Sequence, residues 1–155
     1  MIRKSKASSS NLFLLELILS ILIFALASAV CVSFFMRSHT LSTSAYDLNH
    51  SVECADNAAE IVRSADSEED LQNLLSAEYG TSLKETDEGN GYTVYTISCD
   101  SSFDVCEMND AAYLLSIQVH TEGSLLLAKI EVMAAGSTDS IFDVTAEHVL
   151  KEANG

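Results

Sequence analysis

Twenty consecutive residues without a charge, Leu17 to Met36 (LILSILIFALASAVCVSFFM), constrain what this chain can fold into. As an α-helix rising about 1.5 Å per residue, the run is roughly 30 Å long, the thickness of a bilayer's hydrocarbon core. Ser20, Ser28 and Ser33 suit that setting, because each hydroxyl can bond the carbonyl one turn earlier. Arg3, Lys4 and Lys6 precede the run, and Arg37 alone closes it. The positive-inside bias then puts the N-terminus in the cytoplasm and everything beyond residue 37 outside, across a single span of the cell membrane.

A cleaved secretory signal shares these parts, with small-residue sites at Ala25-Leu26-Ala27 and Ala27-Ser28-Ala29. Two features oppose it. Glu16 sits inside the apolar stretch, and hydrophobicity continues past those sites through Val30, Val32, Phe34, Phe35 and Met36. A lipoprotein cut before Cys31 would need a small residue where Val30 stands. A retained anchor is therefore expected. Glu16 is the most informative residue within it, since a carboxylate in an apolar segment costs about 2.5–3.5 kcal/mol even on lenient insertion scales. Such a group has a partner or a function, or it snorkels to the cytoplasmic edge of the helix. The residues alone leave both readings open.

The stretch Leu12-Phe13-Leu14-Leu15-Glu16-Leu17-Ile18-Leu19 resembles the start of type IV pilins and type II secretion pseudopilins. In that family a short basic leader precedes an apolar helix whose fifth residue after a cleaved bond is glutamate. The resemblance implies a bond at Asn11–Leu12 cut by a prepilin peptidase, Leu12 as the new terminus, and Glu16 as the assembly glutamate. That glutamate would pair with the terminal ammonium of a neighbouring pilin-like subunit. The family carries glycine before the cut, where this chain has Asn11, and the common helix-bending proline is missing, as is proline throughout. The likeness covers about the first 37 residues. It implies a structural subunit, a minor component of a pilus, secretion or competence-type filament. A solitary membrane-anchored binding or sensory domain is the alternative.

Beyond residue 37 four basic residues (Arg63, Lys84, Lys129, Lys151) face 22 acidic ones, a formal charge of −18. Nucleic-acid binding through a basic patch is not expected of such a surface, since that affinity comes from Lys and Arg neutralising phosphates. A solvated acidic surface is the reading adopted. Leu41, Ala45, Leu48, Val52, Ala55, Ala59 and Val62 recur at steps of four and three, so one helix is expected from Leu12 to Ser64, amphipathic in its second half. A juxtamembrane coiled coil ranks second, because a stripe with three alanines makes a poor seam.

Ser67-Glu68-Glu69-Asp70 opens a second helix, with Ser67 as cap and acids at the positive end of the dipole. Leu71, Leu74, Leu75 and Ala77 would form its buried side, and Gly80 ends it. Asp87 to Gly91 reads as a turn. Tyr92–Cys99, Tyr113–His120, Leu125–Ala134 and Ile141–Val149 alternate as strands, with turns at Thr121 to Ser124 and Gly136 to Ser140. The expected class is α+β: a long N-terminal helix, half transmembrane and half amphipathic, packed on a small antiparallel meander sheet. The expected division is 1–11 basic leader, 12–37 transmembrane segment and 38–155 extracytoplasmic domain.

Cys31 falls in the membrane, whereas Cys54, Cys99 and Cys106 would lie where disulfides persist. Three pairings are open; Cys99–Cys106, closing a short loop, is the first choice. No CxxC, HExxH, GxSxG, Walker loop or GxGxxG occurs, so neither zinc nor an enzyme activity is expected, and no cofactor is implied. Asp87, Glu88, Asn90, Asp100 and Asp104 could offer oxygens to calcium but fit no EF-hand spacing, and solvated loop acids are the plainer reading.

Overall fold

A computed structural model describes residues 7–80, 83–89 and 91–150, without the side chains of 7–10 and 83–89. Arg3, Lys4, Lys6, Asn90 and Lys151 lie outside the described residues, as do the side chains of Lys84, Asp87 and Glu88. The elements are α1 (Ala7–Ser64), α2 (Glu68–Tyr79), β1 (Leu83–Gly89), β2 (Tyr92–Cys99), β3 (Tyr113–Glu122), β4 (Leu125–Ala134) and β5 (Ser140–Val149), with a 3-10 turn at Met108–Asp110. Helix α1 ends where the sequence predicts and begins five residues before Leu12. The chain divides into a segment ending at Ser44 and a compact unit from Ala45 onward.

Within the compact unit the five strands form one antiparallel meander in the order β1-β2-β3-β4-β5. The second half of α1 lies over one face of this sheet, giving the α+β fold expected. Helix residues Ala55, Ala58, Ala59 and Val62 share a core with Tyr95, Ile97, Leu115, Ile117, Val119, Leu126, Ala128, Ile130, Val132 and Ala146. Alternate residues on β2 to β5 face this core, as the period-2 geometry of a strand requires. The alanines on α1 leave room for its backbone to approach the larger strand residues.

The buried face of α1 is offset from the expected stripe. Leu41, Ala45 and Leu48 are exposed, whereas Ser51 and Ala58 are buried beside the correctly expected Ala55, Ala59 and Val62, as is Ala65 just beyond the helix. In α2, Leu71 and Leu75 are buried and Leu74 partly so, but Ala77, about 200° round the helix from Leu75, is exposed on the opposite face.

Ser67 caps α2 as expected, its Oγ accepting from the Asp70 N–H at 3.1 Å, while Asp70 Oδ2 accepts from the Asp66 N–H at 3.0 Å. Gly80 ends the helix at φ +58, its N–H donating to the Ser76 carbonyl. The turn expected at Asp87 to Gly91 instead begins as the end of β1, a strand that the sequence does not announce. Its residues pair with β2 from Leu83 opposite Ile97 to Asp87 opposite Thr93, then shift register before Gly89. LKETDEG has low strand propensity, so the backbone row offered by β2, rather than its side chains, accounts for the pairing. Strands β3 and β4 run to Glu122 and from Leu125, so their connection is only Gly123-Ser124, with Gly123 at φ +64.

Candidate functional site

The apolar half of α1 presents its side chains outward on every side: Leu12 is 65% exposed, Phe24 74% and Phe35 80%. By length and composition it is able to cross a membrane once, and its most apolar stretch has no buried residue. Its hydroxyls are satisfied internally, as expected. Ser20 Oγ donates to the Glu16 carbonyl at 2.9 Å, Ser28 Oγ to Phe24 at 2.8 Å and Ser33 Oγ to Ala29 at 2.9 Å. The Glu16 carboxylate is exposed, with no ion pair or hydrogen bond to another described residue. Asn11 and Leu12 are also exposed, and the bond between them lies within the helix, four residues after its first residue. Asn11, Leu12 and Glu16 thus occupy little more than one turn of an apolar helix whose Ser20, Ser28 and Ser33 hydroxyls bond back to its own backbone.

The disulfide expected between Cys99 and Cys106 is not formed; both thiols are free, as are those of Cys31 and Cys54. The geometry of the loop explains why. Cys99 pairs with Val105 in an antiparallel bridge, and the Cys106 N–H donates to the Ser98 carbonyl at 2.9 Å. Cys106 is thereby set beside Ser98, and neighbouring residues of an extended segment point to opposite faces. Cys99 faces the core and is buried, while Cys106 is half-exposed on the other side. Burial pushes the Cys99 thiol up to about 12, and nearby Cys54, Cys106, Asp100 and Asp104 add to the shift. Burial likewise raises the Cys54 thiol, with Glu53 contributing. Asp100 and Asp104 serve the turn between the cysteines: Asp100 Oδ1 accepts from the N–H groups of Ser102 and Asp104 at 2.7 and 3.1 Å. Among the described residues no three His, Cys, Asp or Glu side chains converge in a way that could hold a metal.

One constellation escapes sequence reasoning. Tyr46 and His50, one turn apart on α1, meet Phe103 from the loop and Tyr113 from the start of β3. The Tyr46 and His50 rings are 4.3 Å apart, His50 stacks on Phe103 at 5.3 Å, and Phe103 stacks on Tyr113 at 4.1 Å. Tyr113 OH donates to Asp47 Oδ1 at 2.9 Å, and its pKa is raised by burial and by that bond. His50 Nδ1 is 3.5 Å from Glu53 Oε2. Phe103 holds φ +64, an uncommon conformation for a side chain with a Cβ. The cluster fastens the Asp100–Cys106 loop to the helix. The only sequence signals for it were the i, i+4 aromatic pair on α1 and the turn-forming Asp-Ser-Ser-Phe-Asp segment.

Comparison of the chain with protein-family models, with curated proteins and with solved structures returned no match.

Proposed function

We propose that this chain is a pilin-like structural subunit, a minor component of a type IV pilus, type II secretion or competence-type filament, held in the cell membrane by the first half of α1. The observation that carries the reading is Glu16: a carboxylate in an unburied apolar helix, four residues after Leu12 and without a partner among the described residues. In hydrocarbon an unpaired charge of this kind is costly, and a neighbouring subunit's terminal ammonium would offset that cost. The cluster Arg3, Lys4 and Lys6 against lone Arg37 supports a cytoplasmic N-terminus, with the acidic sheet domain outside. The partners proposed are the membrane, other pilin-like subunits, and a prepilin peptidase acting at Asn11–Leu12.

The test is substitution at Glu16 alongside N-terminal sequencing of the mature protein. Under this proposal Glu16→Leu inserts into membranes at least as well as the parent, yet is lost from crosslinked assemblies, and Glu16→Gln is also strongly impaired. A mature chain that still begins at Met1, together with a fully functional Glu16→Leu variant, would replace the filament subunit with a solitary membrane-anchored domain.

A further inference from the structure

Strand β5 is one edge of the sheet. It is ten residues long, contains no proline, and from Phe142 to Val149 pairs with β4 in unbroken register. Along its outer side alternate N–H and C=O groups face away from β4, and among the described residues no other backbone segment bonds to Ile141–Val149. The opposite edge, β1, is shorter, carries a register shift and lies near α2. Natural edges are blunted by proline, by lysine or by bulges. From Phe142 onward β5 has none of these, and the charged side chains that can also blunt an edge are here both acidic, Asp143 and Glu147.

What it carries is acid on one face and apolar surface on the other. Asp143, Thr145 and Glu147 are exposed on the sheet face away from α1, and Phe142 and Val144 are half-buried on the core side. Asp143 stands directly opposite Glu131 on β4, and one cation, Lys129, serves this group, its Nζ 2.8 Å from Glu131 Oε1. Among the described residues the carboxylates beside the edge thus outnumber the cation three to one. A second copy of β5 is a poor occupant: antiparallel pairing centred on Thr145 would set Asp143 against the other copy's Glu147, and like charges directly opposite are unfavourable.

We propose that β5 is a strand-addition site for an extended segment of another protein that alternates basic and apolar residues. Its recognition pattern follows from the register. Lys or Arg four residues apart would stand opposite Glu147 and Asp143, a β-branched residue midway would face Thr145, and apolar residues between them would stand opposite Val144 and Ala146. Backbone bonding supplies affinity in this mode, and alternate side chains supply selectivity.

The probe is the peptide Thr-Lys-Val-Thr-Val-Lys-Thr, capped at both ends, titrated into the full chain in lipid nanodiscs, with affinity and amide exchange of Phe142–Val149 read together. Saturable binding that slows exchange along β5 is expected, and no binding overturns the proposal. The same peptide with Glu for both Lys should bind about tenfold more weakly, the difference expected for two cross-strand charge pairs. Asp143→Lys with Glu147→Lys, both at exposed positions, should reverse that preference. N-methylation of alternate peptide amides, which cannot disturb the folding of the chain, should abolish binding. Equal affinity for the N-methylated peptide, unchanged β5 exchange, or an unchanged preference in the double variant would each overturn it.

Discussion

Phe103 holds its ring between His50 and Tyr113 at the expense of a left-handed backbone, which costs an L-residue about 1–2 kcal/mol. Truncation experiments can separate the two. Phe103→Ala and Phe103→Gly both remove the ring, but only glycine relieves the φ of +64. Phe103→Gly is therefore expected to be more stable than Phe103→Ala by about 1 kcal/mol in denaturant titration, the reverse of their usual order. The cysteines give a second residue-scale test. With Cys99 buried and its thiol pushed up to about 12, it should resist iodoacetamide at pH 8, while half-exposed Cys106 reacts in the folded protein. Peptide mapping with and without denaturant checks the order, with Cys99 labelled only after unfolding.

At the scale of the element, α2 depends on its first turn. Ser67→Ala removes the acceptor for the Asp70 N–H and should cost about 1 kcal/mol, seen as a lower denaturant midpoint with an unchanged m-value. This helix was legible in the sequence because capping is local chemistry: serine, three acids, an apolar pair and a terminal glycine stand within fourteen residues. Strands β2 to β5 were legible for the same reason, since alternation of β-branched and aromatic residues is written along each strand. Strand β1 was not. Apart from Thr86, little in LKETDEG favours extension, and what makes it a strand is a backbone partner supplied by β2. The helix face of α1 was only half legible, because periodicity tells which residues share a stripe but not where along the helix the sheet begins to cover it. Glu16 stood out in sequence because its surroundings are its own neighbours in the chain. The aromatic cluster did not, because its rings come from three separate segments, and the disulfide failed because loop length says nothing about which face each cysteine presents.

For the molecule as a whole, several protons are held more tightly in the folded unit than in the unfolded chain, and two of the shifts are large. Cys99 is raised from 9.0 to about 12, chiefly by burial. Tyr79 is raised from 10.0 to about 12, again chiefly by burial, with Cys54, Glu78 and Cys99 contributing. Both shifts are upward, so the unfolded chain releases these protons first, and stability should be level below pH 9 and decline as pH rises from about 9 towards 12. Thermal unfolding of Cys99→Ala across that range should show a shallower alkaline decline, whatever its loss of stability at neutral pH. The meander order has a consequence of another kind, in the time a ribosome takes to make the chain. Every strand joins one that was synthesised just before it, so the sheet can grow in step with elongation, without any strand waiting for a distant partner. Until Ser140–Val149 has been added, the leucine-rich β4 is the open edge, and a chain released after ending at Gly136 would present that edge to chaperones and to other unfinished copies.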